Sequence, residues 1–114
     1  MIPARQQQLV DSLIMAVEGG TNYWAYPSNY EWGSENGRYE LGDNMYASVT
    51  LQEIDNQRRY ALTPEIMATG WNRIMQGQVK IADYIKRYME EDNLDAETAD
   101  CIVQASIFNE IIFG

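Results

Sequence analysis

Three features of the sequence predict an α+β fold, a small antiparallel sheet of three to four strands packed with about four helices. Met45, Ala47, Val49 and Leu51 alternate with Tyr46, Ser48, Thr50 and Gln52, the period-two pattern of a strand with one buried and one wetter face. Ahead of it, Leu9 or Val10, Leu13, Ile14 and Val17 recur at helical spacing. Behind it, Thr63-Pro64-Glu65 combines a hydroxyl N-cap, a first-turn proline and an acid at the positive end of the helix dipole. Strands gathered in one block and helices outside it are the arrangement of an α+β domain.

Taken in order, the first helix runs from about Pro3 to Glu18, where Gly19 and Gly20 stop it. A strand over Asn22 to Tyr26 puts Tyr23 and Trp24 on opposite faces and ends at Pro27-Ser28-Asn29. Tyr30-Glu31-Trp32, the Asn36-Gly37 turn and Arg38 to Leu41 read as a hairpin. The alternating strand follows, then a turn at Asp55-Asn56-Gln57 and a last strand over Arg59 to Leu62. The second helix has its apolar side in Ile66, Met67, Trp71, Ile74 and Met75, with Gly70 marking a close approach and Gly77 an end. Val79, Ile81, Ala82, Ile85, Tyr88 and Met89 carry a third helical stripe. A fourth helix spans about Ala96 to Ile111, capped by Asp95, with Ala99, Ile102, Val103, Ser106, Ile107 and Ile111 along one side.

With 114 residues the chain is expected to form a single domain, residues 1–114. Its formal charge is −9 and its pI near 4.3, which argues against sequence-independent attachment to nucleic acid or to anionic membrane. Histidine is absent and Cys101 is the single cysteine. Intramolecular disulfides, the usual zinc sets and every His-dependent triad are thereby excluded, and no cofactor is expected. The start of the chain lacks the apolar run of a signal peptide, and no stretch has the length of a membrane span, so a cytoplasmic location is expected. Cys101, among apolar neighbours on a helix, is expected to be buried and inert.

Glu18-Gly19-Gly20 with Tyr23-Trp24, then Leu62-Thr63-Pro64-Glu65-Ile66, then Ala99-Asp100-Cys101-Ile102-Val103-Gln104-Ala105 leading to Phe108, Glu110 and Gly114, together resemble a family of small, largely uncharacterised proteins from phages and bacterial mobile elements. The order and spacing cover nearly the whole chain, which departs from the shorter family pattern by a helical segment at Gln78 to Tyr88. The resemblance implies a phage-type origin and a compact fold, and supplies no catalytic residue.

The strongest candidate site is the aromatic concentration Tyr23, Trp24, Tyr26, Tyr30, Trp32 and Tyr39, with Arg38 close by. Rings with polar tips stack on nucleobases and an arginine fork meets phosphate. The competing explanation is that a small sheet fills its core with aromatics. The expected contacts are Tyr23, Trp24, Tyr26 and Trp32 for the rings, Arg38 and Arg59 for phosphate, and Glu18 for hydroxyls. Arg58 and Arg73 are further guanidiniums, with plain surface ion pairs as the alternative. Glu18-Gly19-Gly20 is not a dinucleotide fingerprint, because its glycines lead out of a helix rather than into one.

No catalytic motif is present, and a non-enzymatic protein that sequesters a small nucleotide-like ligand, a host defence signal, between subunits of a homo-oligomer is the leading expectation. A second is an acidic inhibitor of a host defence protein, a DNA mimic or anti-CRISPR-like protein, using Glu90, Glu91, Asp92, Asp95, Glu97 and Asp100. A third is a phage structural or assembly subunit whose interface is the apolar C-terminus around Phe108, Ile112 and Phe113.

Overall fold

The computed structural model describes residues 5–34 and 45–114, the side chains of residues 32–34, 45 and 46 excepted. The fold is α+β: a three-stranded antiparallel sheet, in the order β1-β2-β3, with four helices. The strands are β1 (Ala25–Ser34), β2 (Met45–Glu53) and β3 (Arg59–Leu62), and the helices α1 (Gln6–Met15), α2 (Pro64–Met75), α3 (Asp83–Glu90) and α4 (Ala96–Phe108).

The helical run that begins with α1 ends at its glycines as expected, with neither Gly19 nor Gly20 at positive φ. Its ladder widens into a π-turn over Ala16–Gly20, in which the Ala16 carbonyl accepts both the backbone N–H of Thr21 at 2.9 Å and its hydroxyl at 3.1 Å. The Thr21 carbonyl in turn accepts from the N–H groups of Trp24 and Ala25 at 3.0 and 2.9 Å. Residues 22–24 are therefore a turn, and the strand expected from Asn22 begins only at Ala25. Tyr23 and Trp24 leave the backbone in directions set by that turn, not by a pleat.

The expected stop at Pro27-Ser28-Asn29 is a bulge instead. Pairing of β1 with β2 is regular from Ala25↔Glu53 to Ser28↔Thr50, shifts before Glu31↔Ser48, and resumes as far as Ser34↔Met45. Asn29 absorbs the extra residue at φ 51, a left-handed conformation that its short polar side chain tolerates. The strand expected over Arg38 to Leu41 lies outside the described residues. The alternation in β2 is seen as predicted: Ala47, Val49 and Leu51 are buried, while Ser48, Thr50 and Gln52 face outward and are partly exposed.

Helix α2 starts at Thr63, whose hydroxyl accepts the Ile66 N–H at 3.3 Å, and is followed by Gly77 at φ 77. The third helix, expected from Val79, begins only at Asp83, because Ala82 is extended with ψ 144; Val79 is nevertheless buried. Asp95 caps α4 by accepting the Thr98 N–H at 2.8 Å. That helix ends at Phe108, short of Ile111, where Asn109 turns left-handed at φ 58.

One core joins α1, the inner sheet face, α2 and α4 through Val10, Leu13, Leu51, Leu62, Met67, Trp71, Ile102 and Val103. Gly70 lets α2 and α4 cross closely, since a Cβ there would collide with the Ile102 carbonyl and the Ser106 hydroxyl. Gly20 does the same for the π-turn against the Ala96 carbonyl at the start of α4. A Cβ on Gly19 would meet nothing within 4 Å among the described residues. Replacement of Gly70 by Ala is expected to lower stability in urea unfolding by about 2 kcal/mol, as overpacking against backbone does, while Gly19→Ala changes it by less than about 1 kcal/mol.

Candidate functional site

Two polar arrangements carry Tyr23, Trp24, Tyr26 and Arg59 of the residues singled out in the sequence, one inside the fold and one on the open face of the sheet. The inner one is centred on Asp100, which is only 6% exposed. Its Oδ2 accepts the Tyr23 hydroxyl at 2.5 Å, and its Oδ1 accepts the Trp24 indole N–H at 2.9 Å and the Gln104 amide at 3.0 Å. Asp100 and Gln104 are one helical turn apart on α4, so both reach the same side. All of these donors are neutral; the carboxylate is held by directed hydrogen bonds rather than by ion pairing.

Gln104 extends the network to the C-terminal segment. Its Oε1 accepts the backbone N–H groups of Ile112 and Phe113, both at 2.8 Å, and its amide nitrogen donates to the Phe113 carbonyl at 3.3 Å. The Phe113 ring then lies flat on Trp24, with centroids 4.7 Å apart and planes at 6°. Phe108 closes the side at 5.7 Å from Trp24. Beyond Phe108, Tyr60 meets it edge-on at 5.5 Å and donates its hydroxyl to the buried Glu53 carboxylate at 2.7 Å.

Tyr23 is 55% exposed as a residue, yet its hydroxyl turns inward. Partial burial first, then the hydrogen bond to Asp100 and the charge of that carboxylate, raise its pKa well above the ordinary phenol value. Burial, followed by the charges of Asp100, Glu97 and Asp95, pushes the half-buried Cys101 thiol from near 9 up to about 12. The thiol is thus kept protonated and unreactive at neutral pH.

The outer arrangement is a row across the three strands. Tyr26 on β1 stands opposite Gln52 on β2, and Gln52 opposite Arg59 on β3, so the three side chains share one face. Arg59 Nε donates to Gln52 Oε1 at 3.3 Å, Gln52 donates its amide to Gln57 Oε1, and the Tyr26 hydroxyl reaches the same oxygen at 3.4 Å. Tyr26 and Arg59 are exposed, and the next row holds Ser28 and Thr50. A ring, an amide and a guanidinium are thereby aligned on an open surface.

The predicted contacts divide accordingly. Tyr26 and Arg59 come together on the outer face. Tyr23 and Trp24 belong to the Asp100 network, and Trp24, 4% exposed and covered by Phe113, offers no open ring face as placed. This corrects the expectation of Trp24 as an available stacking platform. Glu18 is exposed on the π-turn, where its backbone carbonyl, not its carboxylate, accepts the Asn22 amide at 3.4 Å. Trp32 lies in β1 opposite Ala47 with its side chain outside the described set. Arg38 and Tyr39 also fall outside the described residues. Arg73 is occupied at the end of α4, donating to the Ala105 and Ser106 carbonyls at 2.8 and 3.1 Å.

Of the six acids expected to form one surface, Glu90, Glu91, Asp92, Asp95 and Glu97 are exposed and Asp100 is buried. Three of the exposed ones also have partners: Asp92 pairs with Arg5 at 2.8 Å, Asp95 caps α4 and Glu97 accepts the Tyr84 hydroxyl. Glu90 also lines a shallow mixed-charge groove of about 330 Å³ with Asp83, Lys86 and Arg87. Among the described residues no group of Cys, Asp and Glu is arranged to hold a metal ion, and no helix is long and apolar enough to cross a membrane. Sequence reasoning missed Glu53, Gln104 and Phe113 as partners. The signal for the first was available, since Glu53 continues the buried phase of Ala47, Val49 and Leu51.

Asp100→Ala is expected to cost about 3 kcal/mol in denaturant unfolding, because buried donors lose a charged acceptor, whereas Tyr23→Phe, which deletes one bond, costs about 1.5 kcal/mol. Alkylation of Cys101 at pH 8 is expected to run at least ~10-fold slower than that of a free thiol. Because the thiol and the Tyr23 phenol both have raised pKa values in the fold, their contribution is intact below pH 9 and is lost as pH rises above it, where only the unfolded chain deprotonates. A melting temperature that falls between pH 9 and pH 11, and falls less in Tyr23→Phe, is the expected record.

Comparison with protein families, with curated proteins and with solved structures returns no significant match for this chain.

Proposed function

We propose that this protein is a non-enzymatic binding protein that holds a small nucleotide-like ligand against the open face of its sheet, and that sequestration is its use. The observation that carries the reading is the Tyr26–Gln52–Arg59 row. Strands lie about 4.8 Å apart, so ring and guanidinium stand roughly 10 Å apart across the sheet, a distance that a base and a phosphate joined through a sugar can span. Tyr26 supplies a stacking face, Arg59 a fork for phosphate, Gln52 a donor and acceptor for a base edge, and the neighbouring Ser28 and Thr50 hydroxyls suit a sugar. The chain's net charge of −9 opposes a long polyanion but not a single small anion at contact distance from an arginine.

The phage-like resemblance gives the reading its setting, in which capture of a host signal without turnover serves as counter-defence. A shallow face of this kind gains enclosure when a second copy lies across it, which is the role we assign to a homo-oligomer. Thermal shift against linear and cyclic nucleotides is the test. A ligand at 100-fold over its dissociation constant adds about 2.7 kcal/mol of apparent stability, and Tyr26→Ala or Arg59→Ala should each weaken that response at least ~10-fold without loss of fold. If no nucleotide raises the melting temperature, the nucleotide assignment fails and a protein partner takes its place.

A further inference from the structure

The segment after α4 is attached in an unusual way. Beyond Asn109, which turns left-handed at φ 58, the chain has neither helix nor strand through Gly114. Among the described residues, the hydrogen bonds made by the backbone of 110–114 all run to one side chain, the Gln104 amide, through the Ile112 and Phe113 N–H groups and the Phe113 carbonyl. The only ring it inserts is Phe113, stacked on Trp24 and flanked by Phe108. Ile112 points outward, 52% exposed.

Withdrawal of this segment would strand no buried donor. Gln104 keeps its bond to Asp100, Trp24 keeps its indole bond to the same carboxylate, and Gln104 Oε1 is left open to water. What withdrawal uncovers is a cleft with an indole floor, a phenyl wall and a primary amide at its rim. Two successive backbone N–H groups converging on one oxygen, with the following carbonyl taking the amide N–H, is a pattern that peptide backbone supplies and that a lone ring does not.

We propose that the Trp24–Gln104 cleft is a docking site for an extended peptide segment bearing an aromatic side chain, and that the chain's own Asn109–Gly114 segment is its resident, releasable occupant. The occupant's chemistry is read from the resident itself: backbone contacts to Gln104 at two consecutive residues, a phenyl-type ring at the second, and no demand on the side chain of the first. The inference rests on this geometry and not on the nucleotide reading of the sheet face.

The Phe113→Ala variant of the whole 114-residue chain removes the resident ring and keeps the cleft. A peptide of sequence Asn-Glu-Ile-Ile-Phe-Gly, added to it at millimolar concentration, is expected to raise its melting temperature and shift tryptophan emission to the blue, while the same peptide with alanine for phenylalanine does neither. Should Phe113→Ala fail to fold, Phe113→Leu takes the same titration. In the wild-type protein, hydrogen exchange at the Ile112 and Phe113 amides should be at least ~100-fold faster than at Val103, since a local opening precedes global unfolding. Equal exchange rates would show that the segment does not release, and a folded variant indifferent to the phenylalanine peptide would show that the cleft is no docking site. Stabilisation by adenosine in place of the peptide would equally overturn the assignment, because the cleft would then read rings and not backbone.

Discussion

A buried carboxylate whose partners among the described residues are all neutral is the constraint on which the rest of this structure depends. Asp100 can remain in the interior only if donors are brought to it: the Tyr23 hydroxyl and Trp24 indole come from the distant turn before β1, and the Gln104 amide from the next turn of α4. Such a group is costly when half satisfied and specifying when fully satisfied. It therefore ties the entry of the sheet to the last helix with a directionality that apolar packing alone does not have. The short stretches Tyr23-Trp24 and Asp100 to Phe108, far apart in sequence, are two halves of one contact.

Helix α4 is the spine to which the other elements are fitted. Its first turn lies against Gly20, its middle crosses α2 at Gly70, and its last carbonyls are held by Arg73 from α2. Each of these contacts depends on a residue whose size or charge suits that place: no side chain where backbones approach, and a guanidinium where the helix dipole ends negative. Buried residues consequently occur almost all round α4, polar ones included.

The sheet divides the molecule's chemistry between its faces. The inner face supplies Ala47, Val49, Leu51 and Leu62 to the core, and places Glu53 where Tyr60 can satisfy it. The outer face is left with hydroxyls, amides, a tyrosine and an arginine in cross-strand register. A surface of this composition is well solvated, and its aligned ring and guanidinium are the reason for assigning a ligand to it. The aromatic residues gathered near the start of the sheet are thus not one set, since Trp24 serves the interior and Tyr26 the surface.

Periodicity and end signals in the sequence by themselves determined the α+β class, the helices over their central turns, the alternating strand β2, the Thr63 and Asp95 caps and the close approach at Gly70, because each depends on neighbours within a turn or a pleat. What only the tertiary structure decided was where those elements bend and what their polar residues do. Thr21 converts the expected strand start into a turn, Asn29 converts a strand end into a bulge, and Asn109 ends α4 early. Trp24 faces inward, Arg73 sits on helix carbonyls, and Asp100 leaves the acidic surface for the Tyr23, Trp24 and Gln104 donors, because a side chain's role is fixed by groups that come within 3 Å of it only after folding. Local pattern specifies which face of an element is apolar, and only packing specifies which charge or ring it meets there.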